Sequence, residues 1–210
     1  SITLSNSADI TSTSNKLAVT LNADRDASSS GSIVLDTGSV ITSNGGNVTL
    51  GGAANPTTTA AYGTAASGHR GAVLNGAQIN SGTGNVLVNG QGDTGIGIDL
   101  VTSSIETTTG SITLNGTGAT GANNTAIGIS IFNGSSVRAT AAGGSVALNG
   151  TASATGDFTA GINIELNSSV QGLNGANVAL NGTGSSNGTG GGGFRNHGVY
   201  LQNSGSVLGT

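Results

Sequence analysis

Apolar residues in this chain come in short alternating runs separated by glycine, serine, threonine and asparagine. One string, G-S/N-V/I-x-L-N-G, recurs as GNVTLGG from Gly46, GNVLVNG from Gly84, GSITLNG from Gly110, GSVALNG from Gly144 and ANVALNG from Ala176. Successive side chains of a strand point to opposite faces, so the two apolar residues flanking x share one face. The alternation therefore predicts strands. A helix would need apolar residues three and four apart over ten or more positions, and frequent glycine would weaken it.

Two further strand types recur upstream of that string. The first reads GAVL from Gly71, GIDL from Gly97, GISI from Gly128, NIEL from Asn163 and GVYL from Gly198. The second is Ser104-Ile105-Glu106, Ser136-Val137-Arg138, Ser169-Val170-Gln171 and Ser206-Val207-Leu208. Labelled A, B and C in chain order, the three make one repeat: A, short turn, B, short turn, C, long loop. Earlier copies read SIVL from Ser32, SVIT from Ser39 and NVTL from Asn47, and before them ITL from Ile2, DIT from Asp9 and VTL from Val19. This gives roughly six full units and part of a seventh at a period of about 25–40 residues, the range of solenoids. Length variation falls in the loop after C, which is short from Gln91 and long from Ala53.

The pattern sorts side chains into columns. Strand A is expected to turn Ala72, Ile98, Ile129, Ile164 and Val199 inward, with Leu74, Leu100, Ile131, Leu166 and Leu201. Strand B contributes Ile79, Ile105, Val137, Val170 and Val207. Strand C contributes Val48, Val86, Ile112, Val146 and Val178, then Leu50, Val88, Leu114, Leu148 and Leu180. Short strands with Asn-Gly pairs also suit an antiparallel sandwich. Recurrence of equivalent strands once per unit favours stacking each on its own copy instead, giving three parallel sheets around one axis. Asn89, Asn115, Asn149 and Asn181 share the place after strand C. Stacked in register they would form an amide ladder, and the same pairs suit turns through their tolerance of positive φ.

Composition narrows the reading. With 39 Gly, 1 Pro, no Cys or Met, 2% aromatic and 7% charged residues in 210, the chain is no ordinary globular domain. An apolar content of 34% with a net charge of −4 argues against disorder. Five scattered basic residues, Lys16, Arg25, Arg70, Arg138 and Arg195, make no stripe for phosphates, so nucleic acid is not an expected partner. No apolar run is long enough for a membrane span. Residues 1–210 read as one solenoid segment of a longer array, and the open first and last coils are expected to be continued by further coils or by neighbouring subunits.

The repeats, with G-S-V/I-x-L-N-G-T-G punctuated by Ser/Thr/Ala-rich loops, resemble the shafts of filamentous-haemagglutinin-like two-partner-secretion exoproteins and autotransporter passenger domains. The similarity spans essentially the whole chain and lies in pattern rather than in a defining motif. It implies an all-β, right-handed parallel β-helix, export across a Gram-negative envelope, and a structural or adhesive role outside the cell that could include host or surface glycans as partners.

The sequence nominates no catalytic, cofactor-binding or metal-ligating residue. The outward column of strand A reads Val73, Asp99, Ser130, Glu165 and Tyr200, which would put Asp99 and Glu165 about 10 Å apart. Paired acids at about 6.5–9.5 Å serve inverting glycosidases, making a polysaccharide-cleaving or carbohydrate-binding β-helix the alternative function. Without an aromatic platform or further acids the pair reads as solvated surface acids. His69 and His197 precede strand A in different units and read as loop or turn residues. The run GTGGGG from Gly188 lacks a following Lys-Ser/Thr, and Asp93 and Asp99 lack the tandem GGxGxD of calcium repeats. Asn-x-Ser/Thr sequons, among them Asn115, Asn133, Asn149, Asn167 and Asn181, are as frequent as this composition predicts by chance. Outward positions of strand C, Thr49, Leu87, Thr113, Ala147 and Ala179, are too irregular for an ice-binding array.

Overall fold

The computed structural model describes residues 1–119, 126–152, 159–185 and 196–210. The glycine run from Gly188 and Arg195 lie outside the described residues. Every strand of types A, B and C pairs in parallel with its own copies in the neighbouring coils, forming three stacked sheets, a parallel β-helix. Sheet A runs through Ile2–Leu4, Ile33–Leu35, Ala72–Asn75, Ile98–Val101, Ile127–Phe132, Thr159–Ile164 and Asn196–Leu201. Sheet B runs through Asp9–Thr11, Val40–Thr42, Gln78–Asn80, Ser104–Thr107, Ser136–Ala139, Ser169–Gly172 and Ser206–Gly209. Sheet C stacks Val19–Ala23, Val48–Gly52, Val86–Gln91, Ser111–Thr117, Ser145–Thr151 and Asn177–Thr183, and Val86–Gln91 also pairs with the short strand Ala61–Tyr62. No helix among the described residues is long and apolar enough to cross a membrane.

The inward columns meet as one continuous core. Ile98, Ile129, Ile105, Val137, Ile112 and Leu114 are all fully buried in it. Burying these branched side chains supplies the main favourable term, and no single coil has a thick enough interior to stand without its neighbours. Polar rows line the corners between sheets. The buried Ser103 and Ser135 hydroxyls accept from the backbone N–H of Ala77 and Ser103 in the coil below, at 3.0 Å each, and Ser168 accepts from Ser135 N–H at 3.1 Å. At the B-to-C corner, Ser43 and Ser81 donate to the carbonyls of Gly46 and Gly84. These bonds satisfy backbone groups that the turns would otherwise bury unpaired.

The asparagine–glycine pairs of strand C are not turns, unlike Asn44-Gly45, Asn133-Gly134 and Asn174-Gly175, which take positive φ at both residues. Asn115 and Gly116 lie within strand Ser111–Thr117, and neither has a positive φ. Gly116 is there because two sheets press together: an added Cβ would stand 2.2 Å from the Gly128 carbonyl oxygen. Gly150 meets Gly161 in the same way at 2.0 Å. Sheets C and A therefore close at backbone distance along one edge, where only glycine fits.

Two column assignments are corrected. In the sixth coil the inward pair of strand A is Ile162 and Ile164, which register with Ile129 and Ile131, rather than Ile164 and Leu166. Leu166 and Asn167 take φ of 52° and 60° and form the turn into sheet B. Gly161 marks the true register, since it occupies the crowded edge position held by Gly128 and Gly198 in the adjoining coils. The outward column of sheet A is accordingly Val73, Asp99, Ser130, Asn163 and Tyr200. That column is also not open to solvent, because Val73, Asp99, Ser130 and Asn163 are buried. Alternation separates the two faces of a strand but does not say whether the outer one is covered.

Candidate functional site

Two outer faces carry polar chemistry. On sheet A, Asp99 lies between Val73 and Ser130 of the adjoining coils, and Arg70 Nε stands 3.0 Å from its carboxylate. Burial pushes the Asp99 carboxyl above the usual 3.8, and the opposing pull of Arg70 and the Ser130 hydroxyl does not cancel it. Glu165 is in a separate arrangement: Asn163 Nδ2 donates to its Oε1 at 2.8 Å, and Gln202 Nε2 donates to its Oε2. Tyr200 donates to Gln202 Oε1 at 3.0 Å, and its ring stacks on His197 at 4.6 Å. Asp99 and Glu165 are thus neither a column pair nor two solvated acids. Each is engaged by its own neutral or cationic partner.

The histidines are apart, as their coils require. His69 follows the turn Ala65–Ser67 with φ 65°, and its Nδ1 lies 2.9 Å from Asp93 Oδ2 in a half-exposed pair. His197 sits inside strand Asn196–Leu201 opposite Ala160, rather than in the loop expected for it. No group of three or more His, Cys, Asp or Glu among the described residues is placed to hold a metal.

On the outer face of sheet C the amide ladder is present. Asn115, Asn149 and Asn181 each donate through Nδ2 to the Oδ1 of the asparagine one coil earlier, at 2.7, 2.8 and 2.8 Å. Asn89 donates in turn to the Pro56 carbonyl at 2.8 Å. The next place in the row is Gly51, where a Cβ would lie 2.1 Å from that same Pro56 oxygen. The loop after strand Val48–Gly52 therefore folds back over the sheet, and its carbonyl takes the place an asparagine side chain would hold. A Gly-Gly pair stands here where later coils have Asn-Gly, and it is what admits the loop.

This overhang shapes three adjoining cavities. One of about 550 Å³ lies between Thr57–Thr59 of the loop and Asn89, Asn115 and Thr117 of the sheet. A second, about 310 Å³, shares Thr57 and extends along Asn85, Ser111 and Thr113. The third, about 370 Å³, shares Thr59, Ala60 and Gln91 and adds Tyr62 and Asp24. Partial burial raises the Asp24 carboxyl, yet hydrogen bonds from the Ser28 hydroxyl and the backbone N–H of Ser30, Ser29 and Ser28 hold it below 3.8. Sequence reasoning missed this trough and the buried serine rows. The serine doublets Ser103-Ser104, Ser135-Ser136 and Ser168-Ser169, and the Gly51-Gly52 exception, were the available signals.

No protein-family model, curated protein or solved structure matches this chain.

Proposed function

We propose that the chain is a rigid shaft and display segment of a secreted or surface-attached Gram-negative bacterial protein, an adhesin or a fibre-forming protein, with spacing and presentation rather than catalysis as its task. The observation that supports this reading is the unbroken pairing of each strand with its own copy, from Ile2–Leu4 through Ser206–Gly209. Hydrogen bonds between coils run along the axis, so resistance to stretching and bending is distributed over the full length, while the C-to-A loops are free to differ. The apolar side chains Val199, Leu201, Val207 and Leu208 are exposed on the last coil. They suit a further coil, or a second copy, stacked in register.

The test is immuno-electron microscopy of the encoding bacterium with antibodies against the loop 53–70, together with negative-stain imaging of the purified parent protein. Label standing outside the outer membrane and rods of uniform width are the expected results. Label confined to the cytoplasm, or a compact particle, would overturn the shaft.

A further inference from the structure

We propose that the trough under the Pro56 loop is a binding site for a neutral oligosaccharide lying across several coils. The site does not depend on the shaft reading, since it is a property of one face of the folded segment. Its middle cavity shares Thr57 with one neighbour and Thr59, Ala60 and Gln91 with the other, so the three line up as one trough. Each lies in the size range of ligand sites, about 300–1,000 Å³.

The lining selects the ligand class. In the middle cavity amides and hydroxyls dominate: Asn89, Asn115 and Gln91 with Thr57, Thr58 and Thr117, while Val48, Val86 and Leu87 join the lining of one neighbour. Each amide offers two donors and two acceptor lone pairs, and the ladder consumes one donor and one acceptor of Asn115. The remainder is left to a partner that both donates and accepts, which is what a sugar hydroxyl does. Among the described residues no lysine, arginine or histidine lines any of the three cavities, and Asp24 supplies a carboxylate, which disfavours an anionic ligand. Among the described residues the middle cavity has no large apolar side chain, which disfavours a lipid or apolar peptide. At one end Tyr62 brings an aromatic ring beside Asp24 and Gln91, a face for the C–H side of a pyranose next to acceptors and donors for its hydroxyls. The trough exists because Gly51 and Gly52 let the loop close over the sheet.

The intact chain is titrated with cellohexaose, laminarihexaose, mannohexaose and chitohexaose, and with a heparin hexasaccharide as the anionic probe, while backbone amide shifts are followed by NMR. Saturable shifts with at least one neutral probe, centred on Thr57–Thr59, Tyr62, Asn89 and Gln91, and none with heparin, are expected. Thr58 is exposed on the loop, so Thr58→Arg blocks the trough without touching the core. It should weaken binding by about tenfold or more at an unchanged melting temperature, and Tyr62→Ala should weaken binding as well. Absence of saturable shifts with every neutral probe, shifts mapping to another face, preference for heparin, or full affinity in Thr58→Arg would each overturn the proposal.

Discussion

Arg138 stands one coil beyond Glu106 in sheet B, and its guanidinium Nε lies 2.6 Å from the Glu106 carboxylate. Both side chains remain partly in solvent, at 43% and 26% exposure, so water and salt screen the pair. A double-mutant cycle with Glu106→Gln and Arg138→Gln should return a coupling of about 0–1 kcal/mol in urea melts. Addition of about 1 M salt should remove most of it. A coupling well above this range would mean that the pair is shielded.

The two faces of strand Ile127–Phe132 should both resist charge. Ile129 is fully buried in the core, and Ile129→Asp should cost about 4 kcal/mol or more. Ser130 points the other way, yet it is 5% exposed and registers with Asp99. Ser130→Asp would place a second carboxylate beside one already short of water, with an expected cost of about 1–3 kcal/mol. Gln171→Asp, on the outer face of sheet B, should change stability by no more than about 0.5 kcal/mol. A silent Ser130→Asp in thermal or urea unfolding would show that the outer face of sheet A is open.

Ladder and edge should separate by mutation. Asn115→Ala leaves Asn89 Oδ1 and Asn149 Nδ2 without their partner, at about 1–3 kcal/mol, whereas Asn181→Ala removes one exposed bond and should cost about 1 kcal/mol or less. Gly116→Ala drives a Cβ against the Gly128 carbonyl and should cost about 3 kcal/mol or more. Gly134→Ala has nothing within 4 Å and bears only the strain of φ 77°, about 1–2 kcal/mol. Chemical denaturation of the four variants tests the order, and a tolerated Gly116→Ala would contradict the backbone-to-backbone closure.

Asp99 sets a pH dependence. Its carboxyl is raised by burial, so the folded chain holds this proton to higher pH than the unfolded chain does. The associated stability is full below the unfolded value and is lost as pH rises through the raised folded value. Asp99→Asn cannot lose a proton. Unfolding free energies from about pH 3 to pH 8 should therefore show the variant gaining on the unaltered chain as pH rises through that window. The opposite slope would mean that Arg70 dominates over burial.

Much of the coil was legible because two periods coincide: alternation within a strand and recurrence of the strand itself. Ile105 with Val137 and Ile112 with Val146 pair as their columns predict, and the asparagine row forms a ladder. The sixth coil went astray because NIEL satisfies the apolar alternation two residues late, and alternation alone cannot distinguish registers that differ by two. Gly161 does distinguish them, through sterics that become visible only once two sheets meet. The burial of Asp99 and the trough beside Tyr62 depend on how long connections fold over the sheets, which repeats do not encode. Pro56 acts through its backbone carbonyl, a group every residue has, so no side-chain motif announces it.

Successive ladder asparagines lie 26, 34 and 32 residues apart along the chain, yet each step is a single amide hydrogen bond of 2.7–2.8 Å. Residue count and axial advance are therefore uncoupled. Insertions after strand C widen the coil locally and leave the pitch untouched, as the Pro56 loop does over sheet C. The molecule is graduated like a ruler whose marks are set by hydrogen bonding, so a gene encoding it can acquire or trade outboard segments in frame while their spacing along the axis stays the same.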